Sequence, residues 1–507
     1  MSSIVADKLT SVQFPDPDKQ VWLARQQGRI HQVGGSLWRR GYGDDNGDGQ
    51  PDSVVHQCAA LEMGLGTGKT LLIIEEVLKL KQRQPDAQVL VLTVNSVMKS
   101  VWAEQLEQHA GGQLNWVLLN GPMKERERRL RTETHDVWVH NHETLAQMAE
   151  PLKRKGFTMI VIDEHSKYRN HQSSRARVLL GRGLHRRDPL TAKYRVIMSG
   201  TPVVKRASDV YVPYKWLGAS EFGTVAQFRD QFVQLGGFGG RQDVGIREAT
   251  APLLNKILNQ YRYVVPRGAV IQNEPSFQTH EVDLPDWQQT LYRKIQDELK
   301  TQFEDETEEI VNPLTLYLRL AQATAGFEAI DNEHYKWRDD NAKATYLFDE
   351  LLPDVMAEDP KTIVWAWFRP EIKELTRMAQ VRGLKAVSYY GGNTDKPNED
   401  NLEAFRHGDA ELLIGNYGKG GLGLNLGMSR TMVFYTKSFD TEAYFQALGR
   451  NVRLDGVEGL RVVIQLVGKP FVRNNPTIDQ LVARVLRRDI SHAAMVSSID
   501  PEEVYGW

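Results

Sequence analysis

Short β-branched runs alternate with longer stretches of helical periodicity along most of the chain. In the first half the strand candidates are QVLVLTV (88–94), VWVH (137–140), FTMIVID (157–163) and YRVIMSG (194–200). The second half repeats the scheme with KTIVWAWF (361–368), ELLIGN (411–416), RTMVFYT (430–436) and RVVIQLV (461–467). Runs so continuously apolar are buried on both faces, which calls for parallel strands covered by helices. The pattern predicts two α/β lobes. Between them the texture changes. Residues 232–246 are glycine-rich and read as a flexible loop, and QNEPSFQTHEVDLPDW (272–287), with its two prolines, reads as the lobe boundary. LYRKIQDELKTQFEDETEEI then predicts a charged helix ending in an acidic, solvated face.

At 507 residues the chain exceeds what one hydrophobic core supports, in line with two lobes. The predicted division is an N-terminal lobe over 1–275 with an insertion around 203–265, a linker and helical protrusion over 276–345, and a C-terminal lobe over 346–507. A net charge of −2 excludes bulk attraction to polyanions, so a nucleic-acid partner must be held by local basic surface. Cys58 is the only cysteine, which excludes an internal disulfide and a cysteine-rich zinc site. It reads as buried packing. No apolar run approaches membrane-spanning length and the N-terminus has no signal-peptide core, so no membrane partner and a cytoplasmic location are expected (host cytoplasm for a viral protein).

Gly66, Thr67, Gly68, Lys69 and Thr70 follow the apolar run CAAL and precede the helix pattern LLIIEEVLKL. A strand–loop–helix of this composition cradles a triphosphate. Its glycines admit backbone N–H groups to the phosphates, Lys69 reaches the β and γ phosphates, and the Thr70 hydroxyl ligates Mg²⁺. The strict pattern wants glycine at position 63, where Met63 stands. In IVIDEHSKYRN an apolar strand ends in two carboxylates, Asp163 for the metal and Glu164 as general base for water. QALGRNVR carries Gln446, Arg450 and Arg453 at a spacing that predicts one side of one helix, suited to stabilising transition-state charge on a γ phosphate. GKGGLGLNL (418–426), including Gly423, is a glycine-rich turn suited to close backbone approach to a ligand.

Taken in order, these segments resemble the Swi/Snf-like group of superfamily 2 helicases, over nearly the whole chain. HQVGGSLW resembles the glutamine motif, which implies that Gln32 reads adenine. VLVLTVNSVMKSVWAEQL resembles the next motif, with Val94 where proline is common. VWVHNHETL resembles the segment that lies along the bound strand. MSGTPVV and the residues after it resemble the third motif and its sequel. GGLGLNL and QALGRNVR are similar to the fifth and sixth motifs, and Thr477-Ile478-Asp479 to the closing signature. The resemblance implies two RecA-like lobes with small helical insertions, ATP and Mg²⁺ as cofactors, and coupling through Ser166, Ser199 and Thr201. It also implies strand contacts at Asn95, Asn141, Thr144 and Asn425. Two departures stand out. Ser166 occupies the place of a histidine that links the ATP site to the third motif, and Gly449 replaces an acid before Arg450. A compact viral or bacterial enzyme fits the absence of a histone-reading module.

The activity implied is ATP-driven translocation on duplex, forked or branched DNA. An RNA-directed helicase and a weakly hydrolysing, nucleotide-gated DNA clamp stay open. DDNGDGQPD (44–52) lacks a twelfth-position carboxylate and reads as an insertion loop. The basic clusters at 124–131, 153–155 and 173–187 read as surface helices, and the aromatics of IVWAWFRP as strand core.

Overall fold

The computed structural model describes residues 57–64, 68–181, 188–200, 206–236, 242–265, 275–304, 313–331, 334–391, 395–420, 424, 426–450, 460–471, 476–483 and 486. They divide into two compact units, with the boundary between the strands β9 and β10 defined below.

In the first unit the strands are β1 (Gln57–Met63), β2 (Val89–Thr93), β3 (Trp116–Leu118), β4 (Val137–Asn141), β5 (Met159–Asp163) and β6 (Tyr194–Ser199). They are followed by β7 (Val233–Gly236), β8 (Gln242–Ile246) and β9 (Arg262–Val265). Seven of them form a sheet in the order β3-β4-β2-β5-β6-β1-β9, and every pairing in it is parallel. The continuous apolar runs explain why β2, β4, β5 and β6 sit inside it. Leu90, Leu92, Trp138, Ile160, Ile162 and Ile197 are all buried in one core. Each such side chain contributes about 1.5–3 kcal/mol on leaving water. The helix Leu145–Lys155 buries Leu145, Met148, Ala149 and Leu152, the i, i+3, i+4, i+7 stripe of an amphipathic helix. It stops at Gly156, whose φ of 69° a side chain would resist.

The insertion after β6 extends the same core with aromatic side chains. Phe222 packs edge-on to Phe228 at 4.7 Å, and Phe228 meets Tyr211 at 5.1 Å. In the glycine-rich stretch expected to be a loop, Val233–Gly236 and Gln242–Ile246 pair as the antiparallel strands β7 and β8, with a register shift between Gln234 and Leu235, while residues 237–241 lie outside the described residues. Val233 and Ile246, paired across the two strands, are both buried and anchor them.

The second unit contains β10 (Ser276–Val282), β11 (Phe327–Ala329), β12 (Tyr335–Trp337), β13 (Thr362–Ala366), β14 (Ala386–Tyr389), β15 (Leu412–Asn416), β16 (Thr431–Phe434) and β17 (Val462–Gly468). Six form a parallel sheet in the order β10-β17-β16-β13-β15-β14. The stretch read as a boundary thus supplies an edge strand. Pro275 and Pro285 flank β10 without interrupting it, because proline is tolerated where no ladder N–H is needed.

The helices Asp286–Glu304 and Pro313–Ala325, expected within a linker and protrusion, belong to this unit. Gln288, fully buried, joins the two segments by donating to Ala323 O at 2.9 Å and accepting from Ala342 N at 2.9 Å. Asp479 takes Gly468 N at 2.9 Å and Thr324 Oγ1 at 3.3 Å, while Thr477 Oγ1 donates to Gly468 O at 2.7 Å. Thr477-Ile478-Asp479 therefore fastens the end of β17 to the helix Pro313–Ala325. Among the described residues no helix is long and apolar enough to cross a membrane.

Candidate ATP site and strand-facing edge

Parallel pairing puts the C-terminal ends of the first sheet's strands along one edge, where ligands of α/β sheets bind. Asp163, Met198 and Leu61 lie level across β5, β6 and β1, and Ser199 pairs with Glu62. The phosphate-loop candidate leaves β1 beside them. Gly68 holds a φ of 86° as N-cap of the helix Lys69–Arg83, a conformation suited to glycine. Lys69 Nζ donates to Met63 O at 2.8 Å and Gly64 O at 3.1 Å, so the ammonium folds back over the loop backbone. Thr70 stands in the first turn of the same helix. Glu62, just before the loop, is buried with Tyr214 OH on its Oε1 and Arg262 Nη1 3.8 Å from its Oε2, which anchors the loop's strand to the insertion helix Ser208–Leu217. Of the remaining nucleotide-site residues expected from sequence, Gln32, Gly66, Thr67, Gly423 and Arg453 lie outside the described residues, as does the coupling residue Thr201.

The two carboxylates at the end of β5 are adjacent in sequence but held by different groups. Asp163 Oδ2 accepts from Thr93 Oγ1 at 3.0 Å and from Trp102 Nε1 at 2.9 Å. Glu164 Oε1 accepts from Ser166 Oγ at 3.2 Å and Ser199 Oγ at 3.3 Å. Glu164 has φ 58°, the one left-handed non-glycine residue among those described. Such a conformation costs about 1–3 kcal/mol and persists only where the surroundings enforce it. Ser166, at the position where relatives of the motif carry histidine, thus shares its acceptor with Ser199 from β6.

His142 supports this turn from behind. Its Nε2 lies 2.8 Å from Asp163 O and its Nδ1 2.9 Å from Tyr168 OH. A carbonyl only accepts, so Nε2 carries the proton and Nδ1 accepts from the tyrosine. Burial lowers the His142 pKa to about 3 and raises that of Tyr168, keeping both neutral. His140, one strand position away from Asn141, is also buried, and desolvation lowers its pKa to about 4.

Further along the edge, Asn141 Oδ1 accepts from Thr144 N at 2.9 Å and Thr144 Oγ1 at 2.7 Å, while its Nδ2 reaches Asn95 Oδ1 at 3.5 Å. Arg126, from the basic cluster 124–131, donates through Nη1 to Thr144 Oγ1 at 2.9 Å and through Nε to Gly121 O at 2.8 Å. Asn95, Asn141 and Thr144 are thus brought together with an arginine that sequence reasoning had left on a plain surface helix. Asn425 lies outside the described residues.

In the second unit Gln446 is buried on the helix Thr441–Leu448, its Nε2 3.4 Å from Glu442 Oε1. The single helix expected to carry Gln446 and both arginines ends at Leu448. Gly449 caps it, and Arg450 follows in a turn with Nε bonded to Gln446 O at 3.1 Å. Gly449 holds φ −76° and ψ 0°, a conformation open to any residue, so the three-to-four spacing alone does not carry the helix beyond Leu448. Trp365 is strand core as expected, whereas Trp367, past the end of β13, is half-buried against Tyr417 at 5.0 Å.

A family model described as the SNF2-related domain matches residues 58–324, and one for the helicase conserved C-terminal domain matches 342–455. The chain belongs to the SNF2-related family. Its two matched domains are those of an ATP hydrolase of the Swi/Snf-like superfamily 2 type. It is 24% identical over 490 residues to the mouse chromodomain-helicase-DNA-binding protein 1-like, which covers 92% of this chain and 50% of that protein. It is 22% identical to the DNA repair protein rhp54 of Schizosaccharomyces pombe, over 79% of this chain and 52% of that one. An uncharacterized ATP-dependent helicase of Mycoplasma pneumoniae is 21% identical over 91% of this chain and 42% of its own. The chain thus spans about half or less of these relatives' length. Among solved structures, the Sulfolobus solfataricus SWI2/SNF2 ATPase core in complex with dsDNA aligns over 94% of this chain and 96% of its own, with 19% identity and a TM-score of 0.40.

Proposed function

We propose that this SNF2-related chain is an ATP-driven translocase that moves on duplex or branched DNA. The observation that carries the reading is the separation of Asp163 and Glu164 into two environments at one sheet edge. Two carboxylates with different donors can hold two roles, metal ligation and activation of water. Magnesium prefers hard oxygen ligands and keeps several of its waters. The Thr70 hydroxyl and the Asp163 carboxylate fit it, and the ion when bound neutralises charge between the β and γ phosphates.

In this reading Lys69 exchanges its bonds to Met63 O and Gly64 O for phosphate oxygens, and the loop 66–70 cradles the rest of the triphosphate. Gln32 reads the adenine, and Gly423 gives the nucleotide close backbone approach. Glu164 takes the proton of the attacking water. Gln446, Arg450 and Arg453 supply positive charge and hydrogen bonds to the transition state. Ser166, Ser199 and Thr201 carry the state of that site onward, and Asn95, Asn141, Thr144 and Asn425 meet the nucleic-acid strand. Arg126 beside Thr144 supports the last role, because strand tracking depends on cations near the backbone. The names of relatives in DNA repair and DNA binding favour DNA as the polymer.

Steady-state ATP hydrolysis with Mg²⁺, alone and with duplex, forked or single-stranded DNA or RNA, tests the proposal. Stimulation by duplex or forked DNA is expected. Stimulation by RNA alone would replace DNA with RNA, and no hydrolysis with any polymer would leave a nucleotide-gated clamp.

A further inference from the structure

We infer that Trp102 and Thr93 are positioning residues for the Asp163 carboxylate, fixing its orientation for the metal. The inference rests on the magnesium role proposed for Asp163. Both donors are almost wholly withdrawn from solvent, Trp102 at 1% and Thr93 at 0% exposure, and both bond the same oxygen, Oδ2, at 2.9 and 3.0 Å. No side chain among the described residues bonds Oδ1. A carboxylate bonded once can swing about its Cβ–Cγ axis. Two donors arriving on one oxygen from different elements hold its plane and leave the other oxygen for the cation or a water that it holds.

The two donors arrive by different constraints. Thr93 ends β2, and the register Leu92 with Ile162 puts it beside Asp163 on β5. Valine would fill the same buried position at that strand end, so the hydroxyl adds a donor that packing does not demand. Trp102 comes from the π-helical turn Met98–Ala103, which interrupts the helical run that starts at Asn95. Wider turns of this kind recur at functional sites because they re-aim a side chain within an otherwise regular helix. Here the re-aimed side chain is a fully buried indole whose N–H meets a carboxylate rather than a backbone carbonyl. A buried indole needs some acceptor in any case, so the test must separate orientation of the metal ligand from simple satisfaction of the N–H.

Trp102→Phe keeps a ring and removes the donor, Thr93→Val keeps the shape and removes the donor, and Thr93→Ser keeps the hydroxyl. The full chain would be titrated with Mg²⁺, reading the affinity for a fluorescent ATP analogue with and without metal, alongside hydrolysis. Expected are unchanged affinity for the metal-free analogue, a requirement for about 10-fold more Mg²⁺ in Trp102→Phe and Thr93→Val, and wild-type behaviour in Thr93→Ser. Turnover should recover in large part at saturating Mg²⁺. If both donor-deleted variants unfold cooperatively and follow the wild-type Mg²⁺ curve, the inference is overturned. Should Trp102→Phe fail to fold, Thr93→Val decides alone. A wild-type protein indifferent to Mg²⁺ would instead overturn the role of Asp163, and this inference with it.

Discussion

The ammonium of Lys343 lies 2.6 Å from Asp479 Oδ2, and the two side chains are 0% and 5% exposed. Lys343 also donates to Tyr435 O at 3.3 Å, so the pair ties the helix after β12 to the backbone following β16 and to the segment closing the chain's second sheet. Removing one partner leaves a buried charge without its counter-ion, at a cost of about 3–5 kcal/mol. Asp479→Asn and Lys343→Met should each lower the unfolding free energy from urea titration by that scale. The double variant should recover part of it, because no lone charge remains. Additive losses in the double variant would show that the ion pair has no coupling of its own.

Glu371 predicts a pH dependence of opposite sign to that of ordinary carboxylates. Its Oε1 accepts from Trp367 N, Phe368 N and Thr436 Oγ1, and its Oε2 is buried without a partner. Burial outweighs the donors and raises its pKa to about 7. The folded protein therefore binds a proton that the unfolded chain releases near pH 4.5, and stability from this group falls as pH rises from about 4.5 to 7. The loss amounts to about 3 kcal/mol. Glu371→Gln should flatten this slope, so that its stability relative to wild type improves between pH 5 and pH 8. Denaturation curves at the two pH values would check it, and an unchanged slope would remove Glu371 as its source.

His142 and His140 work in the other direction. Their folded pKa values, about 3 and about 4, lie below the 6.5 of an exposed histidine. Their contribution is complete above pH 6.5 and declines as pH falls towards those values. At pH 5 each should cost about 2 kcal/mol relative to pH 7. His142→Asn should lose stability at pH 7, through the bonds to Asp163 O and Tyr168 OH, yet show a smaller further loss at pH 5. Urea titrations of both proteins at the two pH values measure the difference.

Glu164→Gln should lower ATP turnover by about 10²–10⁴-fold, the usual worth of a general base, while binding of a fluorescent ATP analogue persists. Unchanged turnover would remove Glu164 from the role of base.

Ser166→Ala and Ser199→Ala each delete one donor to Glu164 Oε1. Because the two share one acceptor, the effects of both deletions on turnover should fall short of or exceed their product rather than match it. Kinetics of the single and double variants test this coupling, and strictly multiplicative effects would argue against it.

Much of this architecture was written in the order of the residues. The runs around Val91, Val139, Val161 and Val196 announce inner strands because a strand buried on both faces must be apolar at every position. The phosphate-loop and Asp163-Glu164 segments are legible because their chemistry is local: glycines, a lysine and carboxylates placed directly after such strands.

What the order of residues hid depends on contacts between segments far apart in the chain. The edge strand β10, with exposed polar positions and flanking prolines, looked like a boundary because an edge strand owes its pairing to its neighbour β17 rather than to its own pattern. The pairing of β7 with β8 is anchored by two buried side chains, Val233 and Ile246, that the glycine content obscured. The partners of Asp163 and Asp479, and the Ser199 and Thr436 bonds to Glu164 and Glu371, come from segments far along the chain, brought within bonding distance only when the sheets form. In the sequence Trp102 carries no signal of its own and stands only within VLVLTVNSVMKSVWAEQL. Its bond to the Asp163 carboxylate exists because parallel register, and one wide helical turn, aim both groups at the same sheet edge.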